Sequence, residues 1–166
     1  MISATRSYLR VRRAQAERDL LKAATVDPFW NPDDLRERVA RTFRDINTAW
    51  SESDETALDR LLVPSLRDAW IAQLHAMKAQ ALANRLSGID LERLVIERLE
   101  DLPGTEQDAF WVKISYEAAD VTVRATGEAT TYNLAISENW KFRRRGDALV
   151  LEEKHGDDPV SKLLLR

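Results

Sequence analysis

The period of the apolar residues changes near Ser87-Gly88, from close to four upstream to two downstream. Spacings of three and four put side chains on one face of a helix, whereas alternation puts them on one face of a strand. A chain with this order folds as helices followed by an antiparallel meander. The expected class is α+β, with the helices packed on one face of a curved sheet of about four strands.

The helical half has clear punctuation. Residues from about Arg6 to Ala24 are helix formers without Gly or Pro. Asp27-Pro28-Phe29-Trp30-Asn31-Pro32 reads as a turn, with Asn31 as N-cap, Pro32 at the first helical position and Asp33 and Asp34 at the positive end of the dipole. The next helix carries Leu35, Val39, Phe43, Ile46 and Trp50 as a core stripe and breaks at Ser51-Glu52-Ser53-Asp54. A short helix bears Leu58, Leu61 and Leu62. A further helix starts at Pro64 or Ser65, presents Leu66, Trp70, Leu74 and Met77, and extends into the Ala-rich 79–83.

Strand candidates follow Ser87-Gly88. The first contains Leu94-Val95-Ile96, and Leu102-Pro103-Gly104-Thr105 reads as a turn. Phe110, Val112, Ile114, Tyr116 and Ala118 then alternate with Trp111, Lys113, Ser115 and Glu117, the pattern of a half-buried strand. Thr126-Gly127 marks a turn or bulge. From Tyr132, the residues Leu134, Ile136, Glu138, Trp140 and Phe142 share one face, and Arg145-Gly146-Asp147 turns into a last strand around Leu149-Val150-Leu151.

Composition narrows the functional classes. A chain of 166 residues with 32% charged and 44% hydrophobic residues reads as one soluble globular domain. No apolar run approaches the roughly 18–20 residues of a membrane span. The absence of cysteine excludes disulfides and thiolate metal sites. A net charge of −3 argues against a specific nucleic-acid binder. That charge is unevenly placed. Arg6, Arg10, Arg12, Arg13, Arg18 and Lys22 precede Asp27 with only Glu17 and Asp19 against them, a local net of +4 that leaves −7 for the remainder. A basic arm on an acidic body suggests a segment with a partner of its own; a solvated helix face is the plainer alternative.

Catalytic signatures are missing. His75 and His155 lie on different elements, with no paired-His or HExxH spacing for a metal, and no GxSxG or Gly-rich phosphate loop is present. No metal or cofactor is expected. Glu138 is the one oddity, because the alternation points it inward between Ile136 and Trp140. A buried carboxylate must be paired, hydrogen-bonded or protonated. One reading makes it a pocket acid, with Tyr132, Trp140 and His75 as further cavity candidates. The other makes it a structural residue, turned outward by a bulge or ion-paired to an Arg.

The order and spacing of several segments resemble the TIM-forty-four-like family, the C-terminal domain of the mitochondrial inner-membrane import-motor anchor and its bacterial relatives. The resemblance begins at Asp27-Pro28-Phe29-Trp30 and runs through Val39, Phe43, Ile46, Ala49-Trp50, Asp54 and Leu61-Leu62-Val63-Pro64. It resumes at Thr126-Gly127 and closes with Glu138-Asn139-Trp140-Lys141-Phe142-Arg143-Arg144, which is similar to the family's E-x-W-x-F-x-R strand. It implies a nuclear-transport-factor-two-like cone over 27–155, preceded by a basic helical arm over 1–26 and followed by a tail over 156–166.

The resemblance further implies a non-enzymatic adaptor, peripheral to the cytoplasmic face of a bacterial inner membrane and linked to protein translocation or membrane-protein assembly. Its partners would be an anionic phospholipid such as cardiolipin and a protein of that machinery. The lipid-facing or partner-facing residues would be Arg6, Arg10, Arg12, Arg13, Arg18 and Lys22 of the arm, with Arg36, Arg41 and Arg44 of the adjacent helix. The alternatives are a small-molecule binder or enzyme using the cone's cavity, and an oligomeric scaffold using Trp111 on the outer sheet face.

Overall fold

The computed structural model describes residues 2–101 and 105–156, with side chains from residue 11 onward except that of residue 12. Four helices come first: α1 (Ile2–Ala24), α2 (Pro32–Glu52), α3 (Glu55–Leu61) and α4 (Pro64–Ala79). Four strands follow: β1 (Leu82–Glu100), β2 (Ala109–Arg124), β3 (Ala129–Arg145) and β4 (Ala148–Gly156). They form one antiparallel sheet in the order β1-β2-β3-β4. This is the α+β organisation that the change of period predicts.

Local chemistry sets the helix ends. Asn31 Oδ1 accepts from the Asp33 and Asp34 backbone N–H groups at 3.1 and 3.2 Å, with Pro32 at the first helical position of α2. Ser53 closes α2 in the left-handed region, and Asp54 Oδ1 accepts from Ala57 N–H at 2.9 Å to open α3. The link into α4 is pinned to the sheet, because Val63 N–H donates to Leu151 O at 2.9 Å.

The first strand starts earlier than the sequence pattern suggests. Helix α4 stops at Ala79 instead of continuing into 79–83, and β1 begins at Leu82, opposite Arg124. Ala81 takes a positive φ of 55°, and its carbonyl accepts from Ala125 N–H at 3.0 Å, so pairing with β2 ends the helix. Gly88, with φ 60°, then sits inside β1 at a bulge between Ser87 and Asp90. A bulge of this kind needs a residue that tolerates the left-handed region, which glycine does. It also interrupts the alternation, which is why the strand is legible only beyond it.

The core lies between α2 and the inner sheet face. Leu35, Val39, Phe43 and Ile46 are fully covered. Phe43 packs edge-on against Tyr116 at 4.9 Å and tilted against Trp140 at 5.2 Å. Along β2 and β3 the inward residues face each other in register, with Phe110 opposite Phe142, Val112 opposite Trp140 and Tyr116 opposite Ile136. The core also takes in Ala16, Leu20 and Ala23 of α1, upstream of the turn at Asp27. Burying a leucine as completely as Leu20 contributes about 1.5–3 kcal/mol.

Candidate functional site

Two charged clusters organise the inner face; Glu138, Trp140, Asp27, Phe29 and Arg144 come from the segments that carry the family resemblance, and Tyr116, Lys154 and Asp108 join them from outside those segments. The first centres on Glu138, which has no exposed surface. Its Oε2 accepts from Trp140 Nε1 at 2.8 Å and from the Tyr116 hydroxyl at 3.3 Å. Lys154 Nζ lies 3.0 Å from Oε1, as an ion-pair contact and not a well-aligned hydrogen bond. The ammonium also sits 5.5 Å from the Trp140 ring centre and 5.8 Å from that of Trp70. Glu138 therefore points inward as the alternation predicts, and its charge is met by a lysine, where the sequence pattern suggested an arginine. Gly156 stands opposite Glu138 in the β3–β4 pairing, and a Cβ there would come within 2.8 Å of Glu138 Cγ. The carboxylate is sealed on that side by bare backbone.

The second cluster joins the Asp27-Pro28-Phe29-Trp30 turn to the end of β3. Arg144 Nη1 donates to Asp27 Oδ2 at 2.5 Å and to Asp108 Oδ2 at 3.3 Å, and Arg144 Nε donates to Gly146 O at 2.9 Å. The Arg144 guanidinium lies 4.0 Å from the Phe29 ring centre, and that of Arg38 lies 4.7 Å from it. Asp27 Oδ1 meanwhile accepts from Phe29 N–H at 2.9 Å. The hydrogen bond from Arg144, followed by that from the Phe29 backbone, holds the Asp27 carboxyl below its ordinary range. Burial pulls the Arg144 pKa down, but the hydrogen bonds and charges of Asp27 and Asp108 outweigh it and raise the pKa overall.

The four cavity candidates do not converge. Glu138 and Trp140 touch in the core. Tyr132 is 61% exposed toward the other end of β3. His75 lies on the surface of α4, with its ring nitrogen 2.7 Å from Glu55 of α3. A pocket of about 340 Å³ opens elsewhere, between α2 and α3, lined among others by Asp45, Glu52, Asp54 and Arg60; none of the four candidates lines it. No group of residues suited to hold a metal occurs among the described residues.

The basic candidates divide by environment. Arg36 forms an ion pair with Glu17 of α1 and a longer one with Asp33 at 3.5 Å. Arg41 pairs with Glu37 at 3.3 Å, and Arg44 is exposed on α2. Arg13 is half-buried, on the flank of the inward face of α1. Arg18 and Lys22 are exposed, and Arg18 donates to Gln15 Oε1 at 2.7 Å. The side chains of Arg6, Arg10 and Arg12 lie outside the described residues. Helical geometry places Val11, Ala14, Arg18, Leu21 and Lys22 on the side of α1 opposite Ala16, Leu20 and Ala23. Val11 is 63% exposed and Leu21 57%, and Val26, just past the helix, is 87% exposed. That outward stripe carries cations and apolar side chains and no acid. In the sequence Ile2, Leu9, Ala16 and Leu20 fall near one line, interrupted by Arg13, while Tyr8, Val11 and Leu21 lie off it; only the packing of Ala16 and Leu20 shows which side of α1 is buried. Trp111, on the outer sheet face, is partly covered by His155, stacked at 5.7 Å, and by Lys141 at 5.9 Å.

Comparison with known proteins agrees with this architecture. A family model described as the Tim44-like domain matches residues 16–156. No curated protein matches the chain in sequence. Among solved structures, the intermembrane-space region of the chloroplast protein ARC6 superposes with a TM-score of 0.56 at 12% identity, over 74% of this chain and 94% of that one. A protein from Catenulispora acidiphila gives 0.55 at 15% identity, over 81% and 98%. Aln2 from a Streptomyces species gives 0.51 at 13% identity, over 80% and 96%. At these identities the likeness is one of fold.

Proposed function

Because the chain belongs to the Tim44-like family, we propose that it is a non-catalytic adaptor that docks on an anionic membrane surface through the outward stripe of α1. Its body would then be presented to a protein of a translocation or membrane-assembly machinery. The observation that carries this reading is the pairing, on one exposed strip, of Arg18 and Lys22 with Val11 and Leu21. Basic residues beside exposed apolar ones suit a helix lying in the headgroup layer, where the apolar side chains enter the interface and the cations meet lipid phosphates. Each such cation contributes about 1 kcal/mol near an anionic leaflet, screened by salt. No described helix is long and apolar enough to cross a membrane, so attachment through α1 would be peripheral and reversible. On this reading the protein works at the cytoplasmic face of an inner membrane, with cardiolipin as a fitting lipid.

The absence of catalysis is supported by the way Glu138 is used. Its carboxylate is enclosed by Trp140, Tyr116 and Lys154 and has no surface to offer a substrate.

The test is co-sedimentation with neutral and cardiolipin-containing vesicles at low and high salt, comparing the wild-type chain with an Arg18→Glu/Lys22→Glu variant. Wild-type binding that requires cardiolipin, falls with salt and is lost in the variant supports the reading. Equal recovery of the two proteins with vesicles overturns it. Point substitutions are preferable to removal of residues 1–26, which would take Leu20 out of the core.

A further inference from the structure

Among the described residues, strand β3 (Ala129–Arg145) is longer than its outer neighbour β4 (Ala148–Gly156). Over Ala129–Ser137 it pairs with β2 along one edge, from Ala129 opposite Val123 to Ser137 opposite Ser115. Pairing with β4 along the other edge begins only at Glu138, opposite Gly156. Among the described residues, nothing pairs with the backbone of Ala129–Ser137 on that side. Ala129–Asn133, Ala135 and Ser137 are exposed.

The chemistry of this open stretch differs from that of the other sheet edges. Folded proteins guard exposed edges with charges, prolines or bulges, because unpaired N–H and C=O groups recruit other strands. Strand β1 carries Arg85, Asp90, Glu92, Arg93, Glu97 and Arg98 and has three register shifts against β2. Strand β4 carries Glu152, Glu153 and Lys154. Between Ala129 and Ser137 the sequence is Ala-Thr-Thr-Tyr-Asn-Leu-Ala-Ile-Ser, without a charge, a proline or a glycine, and its pairing with β2 is free of bulges. Thr, Tyr and Ile are also residues that favour strands.

We propose that this edge is an interface between two copies of the chain, which pair antiparallel through Ala129–Ser137 about a two-fold axis beside Asn133. The second copy's β3 would lie end to end with β4 in the row next to β3, so that the open length is filled by its own equivalent. Pairing about Asn133 sets Tyr132 opposite Leu134 of the second copy, on the inner face, and Thr130 opposite Ile136. Tyr132, which is 61% exposed in the single chain, gains an apolar neighbour. On the outer face Thr131 meets Ala135. A two-fold interface brings the same patch against itself, and a stretch without charge does so without like-charge repulsion. This match of aromatic to aliphatic about a central polar residue favours a second copy over an unrelated strand.

The chain has no cysteine, which gives the test a clean readout. Directly opposed residues in an antiparallel pair have Cα atoms about 4.5–5.5 Å apart, within the range a disulfide spans. The expected results are three. The wild-type chain gives a concentration-dependent dimer mass by light scattering. Asn133→Cys oxidises to a disulfide-linked dimer far faster than the exposed control Asp147→Cys. Thr131→Lys/Asn133→Lys is monomeric, with thermal unfolding unchanged at concentrations where the wild type is also monomeric. A wild-type monomer at every concentration, with Asn133→Cys no faster to cross-link than the control, overturns the proposal. So does a dimer that survives the double Lys substitution. A monomer that dimerises only after removal of residues 157–166 assigns the edge to the chain's own C-terminal segment and equally overturns it.

Discussion

Glu138 of β3 and Lys154 of β4 are diagonal neighbours across the two strands, with a carboxylate oxygen 3.0 Å from the ammonium, one fully covered and the other partly open to solvent between Trp140 and Trp70. The pair makes Glu138 a structural residue whose partner cannot be removed alone without cost. Glu138→Leu would leave the ammonium and the Trp140 indole N–H without their acceptor, and should destabilise the fold by about 3–5 kcal/mol. Adding Lys154→Met removes the stranded charge and should recover part of that loss. Denaturant unfolding of the two single variants and the double variant gives the coupling, and strict additivity would show that the pair does not act as a unit.

Gly156→Ala should be costly for a steric reason, since the new Cβ would meet Cγ of the fully covered Glu138 at 2.8 Å. Overpacking of this kind costs about 1–3 kcal/mol. A melting curve for this variant checks the close approach, and an unchanged midpoint would mean that β4 gives way at its end.

Adjacent leucines on α1 should behave oppositely. Leu20 is fully covered and Leu21 is 57% exposed. Leu20→Ala should cost about 2–5 kcal/mol of stability. Leu21→Ala should leave stability within about 0.5 kcal/mol and weaken recovery with cardiolipin vesicles. Measuring unfolding and vesicle recovery for both separates the two faces of one helix.

The Asp27–Arg144 pair should make the fold sensitive to acid. The Asp27 pKa is lowered in the folded chain, chiefly by the Arg144 hydrogen bond, so its contribution is fully present above the unfolded value of 3.8 and is lost as pH falls below it through the folded pKa. Asp27→Asn should cost about 1–3 kcal/mol at neutral pH. It should also flatten the pH dependence of stability below about pH 4, which urea titrations over that range would report.

Much of this architecture can be read from residue spacing, and the exceptions have physical causes. The cap at Asn31, the break at Ser53 and the alternation of β2 and β3 are local, and the structure keeps each of them. The start of β1 is hidden because alanines at 79–83 favour a helix, while pairing with Arg124 and the hydrogen bond to Ala125 are contacts distant in sequence. The inward turn of Glu138 follows from alternation, but choosing Lys154 as its partner requires the register of β4. Arg36 reads in sequence as one of the open cations, and its pairing with Glu17 depends on how α1 crosses α2. Tyr132 shares the parity of Glu138, yet among the described residues β4 does not pair alongside it, and it is 61% exposed.

Asp27 and Arg144 are 117 residues apart in the chain, and their contact closes the polypeptide into a loop that encloses α2, α3, α4, β1, β2 and most of β3. In a sequence without cysteine, this closure rests on an ion pair that ties the two ends of the domain together in the folded state and, unlike a disulfide, is released on unfolding. Such a clasp is indifferent to thiols and oxidants. The same fold can therefore hold in reducing and oxidising surroundings alike, with acid as the condition that loosens it.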